Sequence, residues 1–236
     1  MTAAAIASVQ EAESAGDLAT PFTLGVAFAS PSSGDTCLLL STNEDTSQNP
    51  VAGGVGDWAS NILYVTDNVF VTGAAYWHKA DGTEGTGDAT IDFAGATACT
   101  LQLIQITGAD DPVTNPPEAG TPASALSDTP DPPSLTPSGG SADYLYVAVA
   151  HYQVNSTFTS GPSGYSTRDE IVATGFPATT TVHAALGVTA STTEDPDVFT
   201  NSVTTNRRNI ANTIAVYPGA SSATYTGALM LMGVGT

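Results

Sequence analysis

The chain has 236 residues, and its 23 acidic side chains outnumber four basic ones, so the formal net charge is −19. A nucleic-acid-binding protein neutralises phosphates with clusters of Lys and Arg, and this sequence has no such cluster. Attachment to an anionic membrane surface through a polybasic segment is excluded for the same reason. The whole basic inventory is Lys79, Arg168, Arg207 and Arg208.

Carboxylates at this density repel one another, and the repulsion destabilises a compact state at low ionic strength. Salt weakens the repulsion, because it shortens the Debye length to about 3 Å at 1 M. We therefore expect a protein that works in salt-rich surroundings, or one whose charge is balanced by bound cations or a basic partner.

The first 20 residues are rich in alanine and carry Glu11, Glu13 and Asp17, so they are weakly helical and poorly amphipathic. We predict that residues 1–20 form an N-terminal arm, either disordered or docked on a neighbouring subunit. The arm lacks the basic stretch and the long apolar stretch of a signal peptide. No run of 18 apolar residues occurs in the chain, so no membrane-spanning segment is expected.

From residue 21 onward, short apolar and β-branched runs are separated by Gly, Pro, Asn, Asp and Ser, which is typical of antiparallel sandwiches and barrels. We predict an all-β fold: a jelly-roll-like antiparallel β-sandwich of about ten strands. It forms a single domain over residues 21–218, followed by a C-terminal strand or tail over 219–236. The predicted strands are Phe22–Ala29, Thr36–Ser41, Asn61–Val65, Val69–His78, Ala89–Phe93, Cys99–Ile106, Tyr144–Tyr152, Thr180–Val188, Ile210–Tyr217 and Thr224–Met232.

The longest interruption is residues 108–142, which hold eight of the 15 prolines and few large apolar side chains. Two interpretations are open: a linker between two small domains, or a long surface connection within one sandwich. We favour the connection, because neither half of the chain has enough predicted strands to close a core comfortably. The prolines favour an extended, polyproline-II-like backbone.

The two cysteines, Cys37 and Cys99, each lie within an apolar predicted strand. A free cysteine packs as a small apolar side chain, so we predict buried free thiols. A disulfide between neighbouring strands is the alternative, and it requires Cα atoms within about 7 Å.

Three histidines, His78, His151 and His183, lie in or beside predicted strands without the spacing of a zinc site. We expect them to be hydrogen-bonded groups at strand ends. Two stretches, Asp81–Asp88 and Glu194–Asp197, each supply three carboxylates, a ligand type that calcium prefers. Neither has EF-hand spacing, so solvated turns are favoured. The sequence therefore assigns no metal ligand and no cofactor.

A catalytic motif is also lacking. The nucleophile-elbow pattern G-x-S-x-G is absent, and Gly161–Gly164 is predicted to be a turn. A carboxylate pair for glycoside hydrolysis is defined by its three-dimensional separation, which the sequence does not contain. We assign no catalytic residue and expect no enzyme activity.

Aromatic side chains are the remaining candidates for binding. Strand alternation over Ala74–Lys79 places Tyr76 and His78 on one face, and Trp77 and Lys79 on the other. An exposed Trp would suggest a sugar platform or an interface anchor, although a core position is the commoner case in a sandwich. Other aromatics considered are Trp58, Tyr64 and Tyr165.

The order of several motifs resembles a known group of proteins. A Tyr76-Trp-His-Lys79 strand leads into Asp-Gly-Thr-Glu-Gly, and a later strand ends in Ile106-Thr-Gly-Ala-Asp-Asp-Pro112. A Pro-rich crossover then precedes Ser141-Ala-Asp-Tyr-Leu-Tyr-Val-Ala and Asn212-Thr-Ile-Ala-Val-Tyr217. This order, over roughly residues 20–218, resembles β-sandwich virion surface proteins of tailed viruses, many from marine or salt-rich settings. They are commonly capsid decoration or fibre proteins, and the resemblance carries no active-site residue.

The resemblance implies a non-enzymatic virion structural protein: a capsid decoration or cement component that bridges capsid subunits at the virion surface. Its partners would be the major capsid protein or other virion proteins and copies of itself, with a trimer favoured, and neither nucleic acid nor a membrane. One alternative is a host- or glycan-binding fibre or spike module, with Trp77 or Tyr165 exposed. Another is a self-assembling extracellular filament or surface-layer subunit, in which an arm or strand completes the neighbouring sheet.

Overall fold

A computed structural model shows that the chain is almost entirely β, with antiparallel sheets. The predicted all-β sandwich in a single domain is therefore confirmed. In the described part of the chain no helix is long and apolar enough to cross a membrane. The described residues are 3–14, 22–44, 50–58, 60–67, 70–93, 98–173, 179–187, 190–202 and 205–219.

The first large sheet has five strands, and its central strand is buried along its whole length. In spatial order the strands are β1 (Ala5–Ser14), β8 (Cys99–Thr107), β3 (Thr36–Asn43), β6 (Thr72–Lys79) and β5 (Ile62–Asp67). Because β3 is covered on both faces, residues Cys37–Leu40 at its centre form a continuous apolar run without polar alternation.

The second large sheet has the same character, since all eight residues of its central strand are buried. In spatial order its strands are β10 (Ala123–Ser127), β16 (Arg207–Val216), β11 (Leu145–Tyr152), β14 (Thr179–Gly187) and β13 (Ser166–Ala173), and β9 (Glu118–Ala119) also pairs with β16.

Two small sheets complete the strand set. A three-stranded sheet has the order β2 (Phe22–Ala27), β7 (Asp88–Phe93) and β4 (Val51–Gly54), and β12 (Phe158–Ser160) pairs with β15 (Thr200–Asn201). A short 3-10 helix, Glu84–Thr86, precedes β7.

The two large sheets pack face to face, and their contact forms the central core. Leu38 and Ile104 from the first sheet meet Val147, Val149 and Ile214 from the second. At about 25 cal/mol per Å² of apolar surface removed from water, this layer is a main source of stability. Each large sheet also has an outer face that needs cover.

The small sheets provide much of that cover. Leu39 and Leu101, on the outer face of the first large sheet, pack with Ile91 and Phe93 of β7. On the outer face of the second large sheet, Ala148, Tyr152 and Val182 pack with Phe158 and Phe199, in a separate cluster at β12 and β15. The molecule is therefore a stack of four β layers.

Each large sheet is built from one half of the chain. The first uses only strands before residue 108, and the second only strands after residue 117, so the chain passes between them once. This is an antiparallel sandwich of successive halves, which differs from the interleaved Greek keys of a jelly roll.

The Pro-rich segment, residues 108–142, connects the two halves and also covers the second sheet. Its strands β9 and β10 pair along β16. Proline lacks an N–H group but keeps its carbonyl, and two carbonyls are used here. Pro130 O accepts from Phe199 N–H at 2.8 Å, and Pro133 O accepts from the Thr213 hydroxyl at 2.6 Å.

The predicted N-terminal arm differs from the structure. The weakly helical interpretation is wrong for Ala5–Ser14, which form β1 and pair with β8 from Ala5–Thr107 to Ser14–Cys99. Pairing satisfies the backbone hydrogen-bonding groups at the edge of β8, and this long-range gain outweighs the local helix propensity of the alanine-rich segment. The other parts of the arm, and the tail beyond residue 219 with the predicted strand Thr224–Met232, lie outside the described residues.

Nine predicted strands correspond to β2, β3, β5, β6, β7, β8, β11, β14 and β16, with ends displaced by up to three residues. Seven strands were not predicted: β1, β4, β9, β10, β12, β13 and β15. Among these, β13 contains Arg168, Asp169 and Glu170 and forms a sheet edge. Charged residues suit an edge strand but hide the apolar alternation on which strand prediction depends.

Both cysteines are free and buried, as predicted. On the paired strands β3 and β8, Cys37 lies opposite Gln105, whereas Cys99 lies opposite Asn43. Six strand positions separate the two thiols, which is about 20 Å and too far for a disulfide. Burial raises the pKa of each thiol to about 12, so neither is a reactive thiolate at neutral pH.

Replacement of Leu39 tests the packing of the first sheet against its small outer sheet. Leu39 is fully buried, so we expect Leu39→Ala to lower the free energy of unfolding by about 2–5 kcal/mol. The matched control is Leu126→Ala at a side chain that is 55% exposed, with an expected change within about 0.5 kcal/mol. Urea unfolding followed by circular dichroism measures both, and equal losses would contradict the layered core.

Candidate functional site

The three histidines lie in separate environments and do not converge on one site. His78 lies on the outer side of the first large sheet, and His151 and His183 lie between the two large sheets. All three rings are buried. Within the described ranges, no group of three or more His, Cys, Asp or Glu side chains is arranged to hold a metal ion.

His78 and Glu84 form a buried acid–histidine pair. Asp57 N–H donates to His78 Nδ1 at 3.2 Å, so Nδ1 is an acceptor and the ring proton is on Nε2. His78 Nε2 then donates to Glu84 Oε1 at 3.0 Å. The ring also lies 5.2 Å from Trp58, measured between centroids. Both ring nitrogens are used internally, so His78 acts as a structural link.

Glu84 belongs to the acidic stretch Asp81–Asp88, but its carboxylate points inward and is 1% exposed. It accepts the backbone N–H groups of Asp81 at 2.6 Å and Gly82 at 2.9 Å. Burial opposes its charge, yet the hydrogen bonds from Asp81, His78 and Gly82 outweigh burial and lower the pKa of Glu84. The expected solvated turn is thus closed around a buried carboxylate.

His151 stands in a chain of hydrogen bonds that crosses the central core. Tyr64 bonds His151 Nε2 at 2.8 Å, and Thr42 bonds His151 Nδ1 at 2.6 Å. Thr42 also bonds Thr181, which bonds Thr100 at 2.6 Å. Each hydroxyl can donate to the next group, so the chain satisfies polar atoms that water does not reach.

Gly73 makes room for this arrangement. It lies opposite Thr42 in the β3–β6 ladder, and a Cβ at Gly73 would lie 2.4 Å from His151 Cδ2. That separation is far below van der Waals contact, so only glycine lets the strand pass this close to the ring.

His183 is the third buried ring. Its Nδ1 contacts Gln102 Oε1 at 3.1 Å, and Gln102 Nε2 donates to Glu11 Oε1 at 2.8 Å. Because an amide oxygen only accepts, Nδ1 carries the proton and Nε2 is an acceptor. Among the described residues Nε2 has no hydrogen-bond partner. These hydrogen bonds end at Glu11 on β1, the strand that the sequence predicted to be part of a separate arm.

The second acidic stretch, Glu194–Asp197, lines part of an open cleft of about 680 Å³. Asp195 and Asp197 face this cleft together with Asp131 from the Pro-rich segment. Glu194 is held elsewhere, because its backbone bonds Leu135 in both directions at 2.8 and 2.9 Å. The cleft is an acidic surface feature without a metal-binding group of side chains in the described ranges.

The aromatic candidates divide between core and surface. Trp58, Tyr64 and Tyr76 are buried. Tyr165 is partly buried and donates to Glu194 at 3.4 Å. Trp77 is half-buried and lines a cavity of about 470 Å³ with Asp57, Asn61, His78, Lys79 and Val113.

Strand alternation predicted correctly that Trp77 and Lys79 share one face. The inward position of Glu84 was missed, although a signal exists: His78 is the last but one residue of β6 and lies six residues before Glu84, across a Gly-containing turn. The Thr42–His151 contact had no local signal, because 109 residues separate the two partners. Gly161–Gly164 is a turn, as predicted, with Tyr165 N–H donating to Pro162 O at 3.1 Å.

Comparison of the chain with protein-family models, curated proteins and solved structures finds no match. The resemblance to virion surface proteins therefore stays a prediction.

Substitution of Gly73 tests the buried histidine chain. We expect Gly73→Ala to destabilise the protein by about 1–3 kcal/mol, because the new methyl group overlaps the His151 ring. Gly187→Ala is the matched control, since a Cβ there has no atom within 4 Å. Thermal unfolding of both variants checks the prediction, and an unchanged melting temperature for Gly73→Ala would argue against this packing.

Acid destabilisation is expected from the two inter-sheet histidines. Burial lowers the pKa of His151 to about 3 and that of His183 to about 4, whereas histidine in an unfolded chain titrates near pH 6.5. Below about pH 6.5 the unfolded chain therefore binds protons that the native protein does not. As the pH falls further, each histidine lowers the free energy of unfolding by about 1.4 kcal/mol per pH unit, until the pH approaches the pKa of that histidine in the native protein.

The variant His151→Gln isolates one of these protons. Burial also raises the pKa of Glu44, which contributes in the opposite direction as the pH falls. The wild-type protein and the variant both retain Glu44, so this contribution cancels when their slopes of unfolding free energy against pH are compared. Urea unfolding between pH 7 and pH 5 should give a slope for the variant that is shallower by up to about one proton. Identical slopes would mean that His151 is not held neutral by the fold.

Proposed function

We propose that the protein is a non-enzymatic virion structural protein, a capsid decoration or cement component at the virion surface. The observation that carries the proposal is that all three histidines form hydrogen bonds inside the protein that link its strands and turns. The rings of His78, His151 and His183, the side chains best suited to acid–base chemistry near neutral pH, are buried in internal hydrogen bonds.

The layered architecture supports a mechanical role. Both large sheets are covered on both faces, so one small layer cannot be lost without exposing apolar surface of the next. Such a module keeps its shape while it bridges neighbouring subunits. Exposed apolar side chains that offer contacts to partners are Val51, Ile62, Phe70, Val113, Leu126 and Val198.

The charge supports a position on an outer surface. Lys79 pairs with Asp111 and Arg168 pairs with Glu170, which uses two of the four basic residues. Most of the 23 carboxylates therefore depend on salt ions, or on cations of a partner, for charge balance. Major capsid subunits and copies of the chain itself, with a trimer favoured, are the partners that we propose.

Purified virions of the encoding virus provide the test. We expect the chain in repeated copies at capsid lattice positions in a cryo-EM map. We also expect its release on dialysis into low-salt buffer, because weaker screening increases repulsion among the carboxylates. The released particles should lose heat stability while they retain the major capsid protein. Virions that contain no copy of the chain, or that carry it only in the tail, would rule out capsid decoration.

A further inference from the structure

We propose that the cavity beside Trp77 binds a neutral carbohydrate through stacking of a pyranose ring on the indole. This site goes beyond the proposed structural role and does not depend on it. Its volume of about 470 Å³ lies within the range of about 300–1,000 Å³ that is typical of small-molecule sites.

Backbone and side-chain contacts hold the walls of the cavity. The backbone N–H of Trp77 donates to the backbone carbonyl of Asn61 at 3.0 Å, and this bond fixes the turn before β5 against β6. On the other side, Lys79 Nζ donates to Asp111 Oδ2 at 2.8 Å and ties down the turn that carries Val113. Val113 is 68% exposed at the rim. The part of the Trp77 side chain that is not buried thus lies beside a space between two turns.

The indole supplies the flat surface that a sugar needs. The face of an aromatic ring carries negative charge density, and the C–H groups on one side of a pyranose are weakly positive. Stacking of the two surfaces removes apolar area from water without desolvating the hydroxyl groups at the sugar edge. Trp77 also packs against the central core, so the platform is supported from behind.

Polar atoms around the platform can bond the sugar hydroxyls. Asn61 Nδ2 donates a hydrogen bond to the backbone carbonyl of Asp57 at 2.6 Å. This bond orients the Asn61 side chain and leaves its Oδ1 as an acceptor. The Asp57 carboxylate accepts from Ser60 at 2.9 Å and has further acceptor capacity. Lys79 has three ammonium donors, of which Asp111 takes one. The cavity therefore offers both acceptors and donors.

Charge selects a neutral sugar over an acidic one. The ammonium of Lys79 is paired with Asp111, and Asp57 adds a carboxylate to the lining. With a net charge of −19, the protein repels anionic sugars at long range as well.

The same lining favours binding without hydrolysis. A glycosidase usually needs two carboxyl groups beside the glycosidic bond. Among the described residues that line the cavity, Asp57 supplies the one carboxylate. His78 also lines the cavity, but both of its ring nitrogens are used by Asp57 N–H and Glu84.

Tryptophan fluorescence gives a direct readout. The chain has two tryptophans, and Trp58 is fully buried, so a change in emission on adding sugar reports Trp77. The neutral probes are maltotriose, cellotriose, mannotriose and galactobiose, and the anionic probe is sialyllactose. We expect a saturable blue shift with at least one neutral probe and none with sialyllactose. Trp58→Phe should keep the shift.

Calorimetry and saturation-transfer NMR with the same sugar test the residue assignment. Trp77→Ala should weaken binding by at least about tenfold. Val113→Trp should also weaken it, because a larger rim side chain fills the cavity without altering the core. Phe70→Ala, at an aromatic side chain that is 52% exposed outside the cavity, is the matched control and should bind normally.

Failure of every neutral probe to bind would overturn the proposal, as would normal binding by Val113→Trp or equal binding of sialyllactose. The Val113 variant keeps the test decisive if Trp77→Ala does not fold. Capsid decoration is measured separately on virions, so either proposal can fail without the other.

Discussion

Burial of both large sheets on both faces is the constraint on which the rest of the structure depends. Every residue of their central strands, β3 and β11, is buried. Polar side chains on these strands, such as Thr42 and His151, must therefore find partners inside the protein. Thr42 and His151 do so in the hydrogen-bond chain between the sheets, and Gly73 allows it by keeping the neighbouring strand free of a side chain.

The same constraint explains the outer layers. A sheet with an apolar outer face needs cover, and both the small sheets and the Pro-rich segment provide it. Proline suits this task, because an extended segment laid across a sheet need not offer every N–H group but can still use its carbonyls. Residues 108–142 therefore both connect the two large sheets and cover the outer face of the second one. The two halves of the chain share one central core.

The interior and the surface have different chemistry. Inside, His78 holds the buried Glu84, and His151 and His183 join strands that are distant in the sequence. Outside, carboxylates predominate, and Trp77 lines a cavity among them as the apolar platform that we propose for a sugar. The acidic surface suits the proposed place on a salt-exposed assembly, and the platform suits a neutral ligand. These two proposals draw on different parts of one rigid scaffold.

Composition and local pattern by themselves determined the fold class, nine strands, the free thiols and the strongly negative net charge. They also determined that Trp77 and Lys79 share a face, because alternation along a strand is a local property. Only the tertiary structure decided that Ala5–Ser14 form a strand, that Glu84 points inward, and which tryptophan reaches the surface. The first outcome depends on the pairing of β1 with β8, and the contact of His151 with Thr42, 109 residues away, is likewise long-range. Local propensity does not encode such contacts, because their free energy arises only when distant segments exclude water together.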